Sequence, residues 1–262
     1  MIVAGDVRKL ETVEVLASKT DVIFHLATRC LVQGLEDPKT MHEVNDIGTY
    51  NVCLAAKKYG CKIVNIGTSE EYGNQTEFPI KETALMKPVS IYGLTKLVAE
   101  RYVEFFHRIY GVPAVMIRPF NTYGSRHRED GYAAVITVFM KQLRKGISLT
   151  IHGDGLQTRE LTYISDIVDG IILLSKLSDG EVVNVGSGEE ISIIKLAGLV
   201  AKAWKGEKPL FTFTDPRPHD IKRFYCDITK ARSYGYNPKI SLEEGLRMYV
   251  AWYKKRKVNA SS

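Results

Sequence analysis

Three side chains near the middle of the chain have the types and the spacing of an acid/base catalyst. Tyr92 and Lys96 are four residues apart, so on a helix they share one face and the ammonium can approach the phenol. A tyrosine with its ordinary pKa of about 10 is a poor base at neutral pH, and a nearby cation favours the phenolate. The Thr68 hydroxyl can hydrogen-bond the same oxygen. The pattern therefore predicts general acid/base chemistry at Tyr92.

The spacing alone does not identify a catalytic pair, because Tyr253 and Lys257 repeat it in a charged tail that is better explained as a solvated face. The elements around Tyr92 and Lys96 distinguish the two cases. The apolar run at residues 63–66 predicts a buried strand that ends just before Thr68, where side chains open into a cleft. The helix expected from Tyr92 carries two apolar ridges, which indicates burial on more than one side.

Three stretches occur in the order of a known family: Gly67–Gly73, Tyr92–Lys96 and Arg118–Gly124. Together they resemble the extended short-chain dehydrogenase/reductase family, specifically its NAD-dependent nucleotide-sugar epimerases and dehydratases. The resemblance runs from Gly5 to about Leu246. It implies an α/β fold, with a doubly wound Rossmann-type parallel sheet and a smaller α+β substrate-binding cap.

The resemblance implies NAD as the cofactor. In the family a Gly-Asp stretch meets the adenine, a His-Leu-Ala stretch packs against the cofactor, and an Asn helps to hold the cofactor side of the site. A helix N-cap is an equal alternative for Asp6, as is a buried structural hydrogen bond for Asn45, and His25 is expected to be structural. The matching positions are Asp6, Val7, Leu26, Ala27, Asn45, Tyr92 and Lys96.

A nucleotide-diphosphate sugar is the substrate that the resemblance implies. In the family an Asn and two Arg hold the diphosphate, and an Asp belongs to the clamp on phosphate and ribose. Guanidinium groups suit this task because they are always charged and bind two oxygens at once. The matching positions, with the threonine at the reacting oxygen, are Thr68, Asn121, Arg159, Arg217 and Asp220.

The reaction implied first is that of a UDP-glucose 4-epimerase, in which Tyr92 takes a hydroxyl proton while a hydride passes from the sugar carbon to NAD and later returns. Glu70 keeps two alternatives open, since 4,6-dehydratases and UDP-glucuronate decarboxylases of the family carry an acid there. Thr68, Glu70, Tyr92 and Lys96 are thus the predicted catalytic residues. Glu71 is predicted to face solvent.

The family's glycine-rich turn, which brings backbone close to the NAD pyrophosphate, has no counterpart among the 21 glycines. Two explanations are open: a start assigned too late or a fragment, which we favour, and a shortened paralogue. The first predicts that full activity needs upstream sequence. The second keeps a different class of function open, an inactive nucleotide-sugar-binding or RNA-associated relative.

Composition places the chain among ordinary globular proteins: 262 residues, 45% hydrophobic and 25% charged. We expect a cytoplasmic protein without a membrane segment, a disulfide framework or a metal site, since the four cysteines and six histidines show no ligand spacing. The net charge of +6 reflects in part a basic tail, so nucleic acid is not the expected partner.

Domain boundaries and self-association are further expectations. Residues 1–120, with interleaved segments near 153–185, are predicted to form a partial NAD-binding domain, and 121–262 are predicted to form mainly the cap. In the family the helix after Tyr92 and the helix that bears Asn45 commonly pair across a dimer interface, so the resemblance implies a homodimer.

Overall fold

The structure is a computed structural model that describes residues 2–127, 135–205, 209–216 and 222–258. Helices and strands alternate in its first half. In chain order they are α1 (Leu10–Ala17), β1 (Val22–His25), α2 (Leu31–Glu36), α3 (Pro38–His42), a π-helix (Glu43–Ile47), α4 (Gly48–Tyr59), β2 (Lys62–Ile66), a 3₁₀ helix (Ser69–Glu71), α5 (Ile91–Tyr110), β3 (Ala114–Pro119) and β4 (Thr122–Tyr123).

The second half is built from shorter strands between longer helices. Its elements are α6 (Val135–Lys145), β5 (Leu149–His152), β6 (Thr158–Glu160), β7 (Thr162–Tyr163), α7 (Ile164–Leu174), β8 (Val182–Val185), β9 (Glu190–Ser192), α8 (Ile193–Lys205), β10 (Phe211–Thr214), α9 (Thr229–Ser233) and α10 (Leu242–Val258).

Four parallel strands form the central sheet in the order β1-β2-β3-β8. Parallel neighbours need crossover connections, and helices α4 and α5 supply those between the first three strands. Because all four strands run the same way, their carboxyl ends lie along one edge of the sheet, where ligands bind in folds of this kind. The predicted α/β architecture with a parallel sheet is confirmed.

Apolar side chains cover both faces of this sheet, because neighbouring residues of a strand point to opposite sides. Ile63 and Met116 belong to a core with α1, α4 and α5, whereas Val64 and Ile117 belong to a core with α7 and α9. Burial on both sides explains why the strands read as continuous apolar runs in the sequence.

A third core lies among α6, α8 and α10 and the strand pair β5 and β10. Its fully buried members come mostly from residues beyond 121. They include Phe139, Leu149, Leu196, Val200, Leu246 and Tyr249. By contrast, α7 and β8 return to the central sheet, so the second half of the chain contributes to both bodies.

Strand β1 forms one edge of the sheet within the described residues. Ile23 and His25 point toward the helices, whereas Phe24 and Leu26 are 43% and 58% exposed. The carboxyl end of β1 therefore presents apolar surface beside the residues that follow β2.

Candidate active site

Thr68, Tyr92 and Lys96 meet at the carboxyl end of β2. Thr68 is the N-cap of the 3₁₀ helix and hydrogen-bonds the Tyr92 phenol. Lys96 lies one helical turn after Tyr92, and its ammonium donates a hydrogen bond to the Ile66 carbonyl at 2.6 Å. The predicted cluster is therefore present, with its three side chains on two adjacent elements.

The first turn of α5 is fixed by local sequence. Ser90 is the N-cap, and its hydroxyl accepts the Gly93 N–H at 3.0 Å, an interaction that sets where a helix begins. A Cβ on Gly93 would lie 2.5 Å from the Glu70 carbonyl oxygen. Glycine at this position lets α5 pack directly on the 3₁₀ helix, which brings Tyr92 to Thr68.

The pKa of Tyr92 differs from the sequence-based prediction. Burial raises the pKa of the phenol to about 12, and the hydrogen bond with Thr68 opposes that rise. Glu71 and Glu70 raise it further when their carboxyl groups are ionised. In this structure the phenol is thus protonated at neutral pH, whereas the sequence predicted that Lys96 would lower its pKa.

The surroundings of Lys96 explain this difference. Complete burial lowers the pKa of the Lys96 ammonium, and three carboxyl groups that face it, on Glu71, Glu100 and Asp46, oppose that fall. Carboxylates that balance a cation reduce the positive potential that the cation exerts on a neighbour. The proton state of these acids therefore controls how strongly Lys96 favours the Tyr92 phenolate.

Two neighbouring acids have different environments. Glu70 is half-buried and accepts the Ser90 hydroxyl at 3.2 Å, close enough to Tyr92 for its charge to raise the phenol pKa. Glu71 is 0% exposed, so the prediction that it faces solvent is wrong. Its carboxyl accepts the Thr68 backbone N–H at 2.8 Å in a reciprocal cap, which turns the side chain inward.

Asn45 is held inside the π-helix and uses its amide within the protein. The amide nitrogen donates to the Arg29 carbonyl at 3.1 Å and to the Thr95 hydroxyl at 3.0 Å. The amide oxygen accepts from the Arg29 N–H and the Thr28 hydroxyl. Asn45 thus ties the loop after β1 to α5, which agrees with the alternative of a buried structural hydrogen bond. The π-helical turn that holds it is of a kind frequent at functional sites.

His25 has the structural environment that was expected. Its Nε2 lies 2.8 Å from the Thr49 hydroxyl, and that hydroxyl donates to the Asn45 carbonyl at 2.5 Å. Since a hydroxyl has one proton, Nε2 of His25 must be the donor in their contact. Burial, together with the Lys96 charge, lowers the pKa of His25 to about 3, so the ring is neutral.

Asp6 does not cap a helix, so that alternative is wrong: α1 begins at Leu10 with Lys9 as its N-cap. The Asp6 carboxylate instead accepts the backbone N–H and the guanidinium of Arg8, which lowers its pKa to about 2. The Val7 carbonyl accepts the Asn51 amide at 3.0 Å, which docks this segment on α4.

Of the predicted substrate residues, Asn121 and Arg159 lie in described segments, and Arg217 and Asp220 lie outside them. The Asn121 carbonyl accepts the Thr162 N–H, whereas its amide nitrogen is buried without a hydrogen-bond partner. A buried amide donor that lacks a partner is costly, and a bound acceptor would satisfy it. Arg159 donates to the Thr158 carbonyl at 2.7 Å.

The described residues fit the nicotinamide end of NAD. A buried ammonium and a phenol stand together at the carboxyl end of β2, and at the end of β1 Leu26 and the small Ala27 are both exposed. Hydroxyls of a ribose match the first pair, and a flat apolar ring matches the second surface. Lys96 and Tyr92 are the residues that would hold this part of the cofactor.

A crossover-connected parallel sheet with a tyrosine–lysine pair at its carboxyl edge defines a dinucleotide-dependent enzyme that moves protons and hydrides. The family model described as "NAD dependent epimerase/dehydratase family" matches residues 1–186. The chain belongs to this family. The predictions of an extended short-chain dehydrogenase/reductase, of an enzyme and of NAD as its cofactor are thereby confirmed.

Known proteins are similar to this chain in sequence and structure over most of its length. The UDP-glucose 4-epimerase of Thermotoga maritima, solved with UDP-glucose, is 32% identical with a TM-score of 0.88, and the match covers 97% of this chain and 84% of that one. The UDP-glucuronic acid 4-epimerase of Bacillus cereus, solved with UDP-glucuronic acid and NAD, is 30% identical with a TM-score of 0.85, over 95% and 80% of the two chains. The dTDP-D-glucose 4,6-dehydratase of Mus musculus is 30% identical over 97% of this chain and 74% of its own length.

These matches confirm the predicted class of function, an NAD-dependent nucleotide-sugar epimerase or dehydratase. Within the described residues no helix is long and apolar enough to cross a membrane. The same residues contain no group of three His, Cys, Asp or Glu that is placed to hold a metal ion.

Three residues that shape this site were not among those predicted from the sequence. Thr95 and Arg29 anchor Asn45, and Glu71 lies buried against the catalytic cluster. A pattern that could have revealed Glu71 is the Thr-x-x-Glu spacing from Thr68, which is that of a capping box. Nothing in the local sequence marks the other two.

Proposed function

We propose that the protein is an NAD-dependent nucleotide-sugar 4-epimerase of the UDP-glucose 4-epimerase type. The observation that carries this proposal is the contact of Thr68 with the Tyr92 phenol, together with the buried Lys96 one helical turn after Tyr92, at the carboxyl edge of a parallel sheet. Turnover of UDP-glucose with product analysis tests it, and bound NAD separates an enzyme from a protein that only binds nucleotide sugars.

The proposed reaction needs the phenolate form of Tyr92, which accepts the proton of the sugar hydroxyl and later returns it. Thr68 hydrogen-bonds the reacting oxygen and keeps the phenol oriented. When bound, NAD would supply the hydride-transfer chemistry at the sugar carbon. Lys96 holds the nicotinamide ribose and stabilises the phenolate.

For the rest of the cofactor we propose Asp6 and Val7 at the adenine and Leu26 and Ala27 along its length. The contacts of Asp6 and Val7 with Arg8 and α4 support this, since they fix the backbone of the segment. Asn45 contributes by holding the loop after β1 in place, and its own amide is already fully engaged.

We propose that Asn121, Arg159, Arg217 and Asp220 bind the nucleotide diphosphate. Replacing Arg159 with Ala removes a charge-assisted contact, so UDP-sugar binding is expected to weaken by about 1.5–3 kcal/mol in calorimetry. Arg217→Ala is expected to do the same. Arg247→Ala, on the exposed side of α10, is the matched control and should bind normally. Unchanged affinity in both test variants would remove the diphosphate assignment.

Glu70 supports a second candidate function, that of a 4,6-dehydratase or a UDP-glucuronate decarboxylase. Its half-buried carboxylate, held by Ser90 close to Tyr92, is placed to move a second proton. The Glu70→Gln variant discriminates between the two. An epimerase should lose little of its rate, whereas a dehydratase or decarboxylase should lose most of it. The measurement is product formation from UDP-glucose, dTDP-glucose and UDP-glucuronate.

We also propose the domain division predicted from the sequence: residues 1–120, with segments near 153–185, form the NAD-binding domain, and 121–262 form mainly the cap. The return of α7 and β8 to the central sheet supports the interleaving, with the described contribution concentrated at residues 164–185. The separate core of α6, α8 and α10 supports the cap.

A homodimer through α4 and α5 is the proposed assembly. Phe105 and Ile109 of α5 are 44% and 53% exposed, and the partly exposed ring of Tyr50 in α4 packs against Phe106 of α5. Such an apolar face is typical of a protein–protein interface. The mass in solution tests it and should be twice that of the chain. The cytoplasmic location and the lack of a nucleic-acid partner stay predictions.

A further inference from the structure

Beneath the active site lies a cluster of ionisable side chains that the proposed reaction does not use directly. Glu71, Glu100 and Arg118 are almost completely buried, as is Lys96 above them. Charged groups this deep in a protein are stable only when each is paired and hydrogen-bonded. The hydrogen bonds of each member therefore indicate which groups carry charge.

Arg118 directs its donors to partners other than Glu71. Nε and Nη2 donate hydrogen bonds to the two carboxyl oxygens of Glu100 at 2.9 and 2.5 Å. Nη1 donates to the Tyr72 hydroxyl and to the Glu82 carbonyl. A two-pronged contact of this kind requires an ionised carboxylate. Glu100 is thus the anion that balances Arg118.

Glu71 has one satisfied oxygen and one without a donor. Its Oε1 accepts the Thr68 N–H at 2.8 Å, whereas its Oε2 is buried, has no hydrogen-bond partner and lies 3.7 Å from Nε of Arg118. An ionised oxygen in that position would be unsolvated. A proton on Oε2 would instead let it donate to Glu100, which lies within hydrogen-bonding reach.

We propose that Glu71 is protonated in the folded protein and donates a hydrogen bond to Glu100. It acts as a positioning residue for Tyr92, because it holds Thr68 and adds no negative charge beside Lys96. The inference rests on the proposed role of Tyr92 and adds to it a role for the buried charges of Glu71, Glu100 and Arg118. With Glu71 neutral, one fewer negative charge offsets those of Lys96 and Arg118, and the greater positive charge favours the phenolate.

The groups that face Glu71 account for its titration. Burial and the charge of Glu100 raise its pKa to about 8, against the lowering effect of Arg118 and Lys96. The ionisable groups around it are Lys96, Glu100 and Tyr92 from α5 and Arg118 from β3.

The raised pKa gives stability a defined dependence on pH. From the ordinary glutamate value of 4.5 up to about 8 the folded state keeps a proton that the unfolded state releases. Stability therefore falls as pH rises through this window.

The Glu71→Gln variant tests the proton directly, because glutamine keeps the acceptor for Thr68 and a donor for Glu100 but cannot titrate. The wild-type urea midpoint should fall relative to that of the variant as pH rises from about 5 to 8. A protonated-carboxyl band in isotope-edited infrared spectra should be lost in the variant. Glu104→Gln, on the exposed side of α5, is the control and should follow the wild type. Parallel midpoints, or the absence of the band in wild type, would overturn the proposal.

The effect on Tyr92 has its own readout, which needs neither NAD nor turnover. The measurement is carbon NMR of protein labelled at the tyrosine ζ-carbon, and the Tyr92 resonance is the one that is lost in Tyr92→Phe. Its phenolate signal should appear at lower pH in Glu71→Gln than in wild type. Identical onset in the two proteins refutes the positioning role. If no nucleotide sugar is turned over, the proposed function fails, and the urea midpoints and infrared spectra still decide whether Glu71 carries a proton.

Discussion

Tyr92→Phe is expected to reduce turnover by about 10²–10⁴-fold while leaving NAD and UDP-sugar binding nearly unchanged. Phenylalanine keeps the ring and its packing at the start of α5 and removes only the titrating oxygen. Thr68 then loses its phenolic partner, and the sugar hydroxyl loses its proton acceptor. Steady-state rates measure the loss of turnover, and calorimetric affinities for NAD and the UDP-sugar show whether binding is unchanged.

The control for this variant is Tyr234→Phe, which removes a phenol at the end of α9, where the ring is 37% exposed. It should match the wild type in rate and affinity. A Tyr92→Phe protein that turned over at the wild-type rate would contradict the mechanism. One that lost binding and rate together would show that the hydroxyl holds the ligands in place and that its chemistry is secondary.

Arg118→Met should destabilise the protein by about 3–5 kcal/mol, the largest stability effect that we expect from a single change here. Methionine preserves much of the side-chain volume but leaves the Glu100 carboxylate buried without its two-pronged partner. The Tyr72 hydroxyl also loses a contact, although it keeps the one to Asn184 at 2.7 Å. Urea unfolding at neutral pH measures the loss.

Arg101→Met is the matched control, because Arg101 forms an ion pair with Glu104 on the exposed side of the same helix that carries Glu100. Exposed pairs contribute about 0–1 kcal/mol, so its unfolding midpoint should barely move. Equal losses in the two variants would mean that burial does not set the cost. Replacing Glu100 together with Arg118 by apolar residues should recover part of the stability, since no unpaired charge then stays buried.

The sequence contained the main features of the catalytic pair and of the sheet because both depend on local patterns. Apolar runs such as residues 63–66 marked the buried strands, and the spacing of Tyr92 and Lys96 survives wherever a helix forms. The serine at position 90 and the glycine at 93 fixed the start of that helix. Chemistry set by short spacing can be predicted without knowledge of the distant chain.

Tertiary structure decided the charge state around that pair, because it depends on groups far apart in sequence. Arg118 reaches Glu100, 18 residues away, and this contact leaves Glu71 without a donor for its second oxygen. The Thr-x-x-Glu spacing from Thr68 indicates a cap, but the burial of Glu71 beside Arg118 and Glu100 depends on residues distant in sequence. Glu71 was therefore predicted to face solvent, and Lys96 was expected to lower the Tyr92 pKa unopposed. Desolvation and the sum of nearby charges are properties of the packed molecule, and only the assembled fold determines them.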